Sequence, residues 1–168
     1  MESEASLTKS LLVGATLLGG LLAGMATNKV LVEMPAWAEV GVIPWANFTR
    51  AEDTGLGLIL FPVIGGSALL LTVAAAAAFH FDRTAPLSGA VVPVYAAVVL
   101  AVAALIVTVG LLAPPRLSLK QAGTDIAELQ QIFASVDRWW KVKALLHVLT
   151  FGSNLWALMT VASAGKGL

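Results

Sequence analysis

Apolar residues dominate four stretches of this 168-residue chain, at about 11–31, 55–79, 87–113 and 142–164. Each provides the ~20 mostly apolar residues that a membrane-spanning helix needs. None shows the period-two alternation of a barrel strand. The pattern predicts an all-α integral membrane protein: a single membrane domain over 1–168, built as an antiparallel bundle of four transmembrane helices. The short connection "HFDRTAP" joins the second and third spans, with Pro86 suited to the first turn of a new helix. Pro62 and Pro93 fall inside spans and predict local kinks, tolerated where neighbours satisfy the freed carbonyls. The two longer connections, 32–54 and 114–141, lie on one side of such a bundle, and the termini and the short turn lie on the other.

The fourth span starts early. Thr124 suits an N-cap, with Asp125 and Glu128 near the favourable helix start. Apolar residues then recur at Ile126, Leu129, Phe133, Val136 and Trp140, in steps of three and four. The same series continues as Lys143, His147, Thr150 and Asn154, which share roughly 60° of arc at about 100° per residue. The opposite face carries Leu145, Leu149, Gly152 and Trp156. The series predicts one long helix that begins outside the bilayer and enters it with this seam turned toward protein throughout. An ionisable side chain at the bilayer centre costs at least about 2.5–3.5 kcal/mol. Lys143 sits near the boundary, where it can snorkel. His147 lies about 6 Å deeper and Asn154 about 16 Å deeper, so both need partners.

Composition agrees with the pattern. The chain is 58% hydrophobic and 12% charged, against roughly 45–50% and 25% for soluble domains. Its mean hydropathy is +0.88. Ten basic and ten acidic residues cancel, and no basic patch points to nucleic acid. Without cysteine there is no disulfide, thiol chemistry or thiolate metal site. The N-terminal apolar run exceeds the usual ~7–15 residues of a signal peptide and follows Glu2 and Glu4 as well as Lys9, so a retained first span is expected. That span carries Gly20 and Gly24 in a GxxxG spacing, suited to close packing within the bundle or to a homo-oligomer. Seven basic residues fall on the side of the longer connections, against Lys9, Arg83 and Lys166 on the other. The positive-inside rule then places the longer connections in the cytoplasm.

The loop "PWANFTRAEDTG" adds candidate chemistry. A helix starting at Pro44 aligns Asn47, Arg50 and Asp53 or Thr54 on one face. The sequence permits a pocket with Arg50, Asn47, Lys143 and His147 around it and Trp37, Trp45 or Trp140 as walls. The competing reading is an interfacial belt of tryptophans and basic residues. Thr150 and Asn154 equally suit hydrogen bonds between helices. His80 reads as a boundary residue, too far from His147 to share a metal or haem. No nucleophile elbow, zinc-helix motif or phosphate-binding loop is present.

The glycine-rich first span, the "PAW" and "NFTRAEDTG" segments, the short turn and the final "RWWKVKALLHVLTFGSNLWAL" together resemble the small four-helix membrane proteins of the anthrone oxygenase-like family. Where an arginine commonly follows the tryptophan in that family, this chain has Lys141 and Lys143. The resemblance implies oxygenation of a phenolic or polyketide-like substrate without a bound cofactor. In that scheme His147 is the base; Arg50, Lys143 and Asn154 hold the oxyanion; Asn47, Trp37, Trp45 and Trp140 contact the ring. The alternative is a non-catalytic membrane protein, either binding or transporting a small molecule or joining an assembly through the polar seam. Transport along a continuous aqueous path fits poorly, because the third span offers mainly Tyr95 and Thr108 as polar lining.

Overall fold

The computed structural model describes residues 2–52, 56–81 and 88–164, and every regular element among them is helical. Helix α1 spans Glu2–Asn28 and runs through a wide π turn, Lys29–Glu33, into α2, Met34–Val40. Gly41 interrupts the helix with φ +96°, a conformation that costs a glycine little. After it comes α3, Val42–Glu52, with Pro44 one turn inside its start. Helix α4 is Gly57–Phe81 and α5 is Ser88–Ile106. A second π turn, Val107–Leu112, leads into the short α6, Ala113–Ser118. Helix α7, Ile126–Ala164, has 39 residues. Most of the short α4–α5 turn, with Pro86, lies outside the described residues, as do Asp53 and Thr54.

Four helical stretches are long and apolar enough to cross a membrane: Leu7–Val40, Ile59–Phe81, Gly89–Ser118 and Ile126–Ser163. They form a helical bundle in which α1 packs on α4 and α7, and α5 packs on α4 and α7. Pro62 and Pro93 both lie inside helices, and Pro93 is fully buried.

The start of α7 differs in detail from expectation. Asp125, not Thr124, is the cap: its Oδ1 accepts from the N–H groups of Ala127 and Glu128, at 2.9 and 3.2 Å. A carboxylate there also meets the positive end of the helix dipole, an advantage a threonine hydroxyl lacks.

The α7 seam is buried almost from end to end. Ile126 is exposed, but Leu129, Phe133, Val136 and Trp140 are buried, Lys143 and His147 half-buried, and Thr150 and Asn154 buried again. Leu145, Leu149, Gly152 and Trp156 on the opposite face are exposed.

Two apolar cores flank this polar stretch. One gathers Met34, Trp45, Leu112, Leu119, Leu129, Phe133 and Trp140 where α2, α3 and the loop before α7 meet the first half of α7. The other packs Leu12, Ala75, Phe79, Ala90, Val94 and Ala157 between the four long helices. Alanines let the helix backbones of the second core approach closely.

Between the cores, the Asn154 amide donates to the Thr72 hydroxyl of α4 at 3.3 Å, and Thr72 in turn donates to the Ala68 carbonyl at 2.9 Å. Thr150 donates to its own helix at the Leu146 carbonyl. Gly19 and Gly20 of α1 make room here. A Cβ on Gly20 would lie 3.1 Å from the Phe151 ring, whereas Gly24 faces open space. Gly20 therefore serves the α1–α7 contact inside the chain.

The Asn154–Thr72 bond has a measurable worth. A double-mutant cycle of Asn154→Ala and Thr72→Val, read by reversible unfolding in mixed micelles, should give a coupling of about 0.6 kcal/mol, with ~1.7 kcal/mol as the ceiling.

Candidate functional site

The first π turn positions the most heavily buried charge among the described residues. The Met34 N–H reaches back five residues to the Lys29 carbonyl, the signature of a π turn, a feature frequent at functional sites. Lys29 is 6% exposed. Its ammonium lies 2.8 Å from Glu33, one turn along the chain, and 3.0 and 3.1 Å from the two carboxylate oxygens of Glu52 at the end of α3. Arg116 of α6 approaches the same Glu52 at 3.6 Å. The Trp37 ring covers Lys29 at 4.3 Å. Burying a lysine is tolerable only with such pairing, since an isolated buried charge costs several kcal/mol.

Beside this network is a cavity of about 120 Å³. Leu22, Met25, Ala26 and Phe61 form its apolar wall, Lys29, Glu33 and Glu52 one charged side, and Trp140, Lys143 and His147 of α7 the other. Lys143 and His147 both reach it because they are four residues apart, one helical turn. The Lys143 ammonium sits over the Trp140 ring at 4.6 Å. Among the described residues no carboxylate pairs with Lys143 and no hydrogen bond engages the His147 ring. Both polar groups are therefore open to a molecule in the cavity.

The structure divides the set of site residues expected from sequence. His147, Lys143 and Trp140 share the cavity. Arg50 does not line it. Its guanidinium donates to the Leu119 carbonyl at 3.0 and 3.1 Å, to the Gly123 carbonyl at 2.6 Å and to Asn47 Oδ1 at 3.3 Å. The rigid fork of donors thus ties α3 to the turn before α7. Asn47 is exposed and serves that clamp. Asn154 is engaged with Thr72, away from the cavity lining.

Trp37 and Trp45 line a second, open groove of about 530 Å³ with Met34, Phe133 and Lys141. Trp45 stacks on Phe133 at 3.7 Å between ring centroids, tilted only 10°, and Trp37 leans against Trp45 at 4.5 Å. These rings glue α2 and α3 to α7. His80 pairs with the Tyr95 hydroxyl at 2.9 Å across α4 and α5 and takes no part in the cavity.

Lys29, Glu33, Glu52 and Arg116 were not among the expected site residues. The four-residue spacing of Lys29 and Glu33 at the end of an apolar run was a readable signal. Nothing local announces Glu52 or Arg116, which arrive from other elements. No protein-family model matches the chain, nor does any curated protein or solved structure.

Two substitutions separate the network from the clamp. Lys29→Met leaves Glu52 and Glu33 short of a counter-charge and should cost about 3 kcal/mol, the low end of the range for a broken buried pair, because Arg116 remains. Adding Glu52→Gln should recover part of that loss in the same unfolding assay. Arg50→Ala strands the Leu119 and Gly123 carbonyls and should cost about 1.5–3 kcal/mol. Arg50→Lys should rescue it only partly, because an ammonium cannot reproduce the fork.

Proposed function

We propose that the chain is an integral membrane protein whose four long helices cross the bilayer as an antiparallel bundle, and that it binds and oxygenates a small phenolic substrate in the cavity at Lys143 and His147 without a bound cofactor. The insertion is supported by an inverted surface. Among the described residues of the long helices, large side chains such as Leu17, Leu70, Val99 and Met159 are exposed, while Ala15, Ala75, Ala97 and Ala157 are buried. Water penalises so extensive an apolar exterior, and lipid does not.

The observation that carries the functional reading is the convergence of Lys143, His147 and Trp140 on one cavity, where, among the described residues, no carboxylate pairs with the lysine and no hydrogen bond engages the histidine ring. In the proposed reaction His147 accepts the phenolic proton. The Lys143 ammonium stabilises the resulting phenolate, whose para carbon adds molecular oxygen; the peroxide takes back the proton held by His147, and loss of water from the hydroperoxide leaves a quinone, one oxygen atom staying on the ring and the other departing in the water. Trp140 and Phe61 supply aromatic wall. Arg50 and Asn154, each committed to protein partners, hold the scaffold in this scheme.

The assembly alternative has less support. A partner helix pairing through the polar seam would need Thr150 and Asn154 on the surface, and both are buried within the chain.

The test is oxygen uptake by purified protein supplied with single-ring and polycyclic phenols. His147→Ala should lower the rate by about 10²–10⁴-fold, the usual contribution of a positioned base. Unchanged turnover in that variant would remove His147 from the reaction. Absence of uptake with every phenol in the unaltered protein would remove the oxygenase assignment.

A further inference from the structure

We propose that the ligand of this cavity is a single-ring aromatic acid, bound as a monoanion with its acidic oxygen, phenolate or carboxylate, on Lys143. The proposal rests on the cavity being a ligand site. It adds the charge and size of what enters.

The acidic side chains of the cavity are already engaged. Glu52 takes two contacts from Lys29 and one from Arg116, and Glu33 takes one from Lys29. A cationic ligand would meet no free carboxylate among the described residues of the cavity and would add a like charge beside Lys143. A neutral ligand would leave the Lys143 ammonium without a carboxylate partner beside a largely apolar wall, an arrangement that costs free energy. A monoanion supplies the missing partner. Hydrogen bonds to charged groups are also the stronger class.

Volume sets the size. The cavity of about 120 Å³ is near the roughly 150 Å³ that holds benzene. One ring fits, and a fused polycycle would have to protrude from the mouth. Trp140 and Phe61, with Leu22 and Met25, give that ring aromatic and aliphatic walls.

Three probes of one size separate the cases: benzoate, benzyl alcohol and benzylamine, titrated calorimetrically into the full chain in lipid discs, with empty discs subtracted. Benzoate should bind at least about tenfold more tightly than benzyl alcohol, the lower bound for one hydrogen bond to a charged group. Lys143→Arg should keep that preference, and Lys143→Gln should bring benzoate down to the level of benzyl alcohol. Retained benzyl alcohol binding by Lys143→Gln shows that the variant is folded. If it is not, the three-probe comparison in the unaltered chain still decides.

Equal binding of benzoate and benzyl alcohol, or preference for benzylamine, overturns the anion assignment while leaving the cavity a ligand site. Benzoate binding unchanged in Lys143→Gln overturns the role of Lys143. Failure of all three probes to bind overturns both the anion assignment and the ligand-site reading beneath it.

Discussion

A helix of 39 residues that carries Lys143, His147, Thr150 and Asn154 on the same stripe as Leu129, Phe133 and Val136 has to bury that stripe along nearly its whole length. In water the apolar part is costly to expose; in lipid the polar part is. The other elements are arranged to meet this demand. Helices α2 and α3 and the α6–α7 loop cover the first half, and α1, α4 and α5 enclose the second. The polar zone between the two cores is where side chains must be satisfied one by one. Thr150 and Asn154 are satisfied by protein. Among the described residues, no carboxylate pairs with Lys143 and no hydrogen bond engages the His147 ring.

The buried Lys29 ammonium sets the other half of that cavity. It joins the end of α1 to the end of α3, and Arg116 brings α6 to the same carboxylate. Three separate segments are thereby fixed around one small volume. Arg50 performs a related task at a distance, clamping two carbonyls of the turn that starts α7. One cluster of charges builds the wall of the cavity, and one arginine holds the elements that carry it. Among the described residues of the cavity, the lysine without a carboxylate and the histidine ring without a hydrogen bond both stand on α7.

Much of this was legible along the chain because it is periodic. The four apolar stretches, the length of α7 and the burial of its seam all follow from residue spacing; the structure has four long apolar helical stretches, the first of which runs on to Val40, and buries most of that seam. The cap of α7 moved by one residue, from Thr124 to Asp125, a shift within what spacing can resolve. The grouping of site residues was less legible. Arg50 and Asn47 have the composition of a binding face, yet Asn47 accepts from Arg50, and the carbonyls that Arg50 serves are 69 and 73 residues away. Trp37 and Trp45 belong to an aromatic stack whose third ring, Phe133, comes from α7. The Lys29–Glu52 pair spans 23 residues and a helix break at Gly41.

The amino-acid sequence by itself determined that four long apolar stretches form helices, which stripe of α7 must be hidden, and that Lys143 and His147 share a turn. These are consequences of helical geometry and of the cost of exposing the wrong side chain, and both operate within one element. Only the tertiary structure decided that Lys29, Glu33 and Glu52 stand opposite that turn, that Arg50 faces a loop instead, and that Asn154 is spent on Thr72. Those pairings depend on which helix ends meet and at what angle. That is set by packing and by two π turns that no local pattern announces.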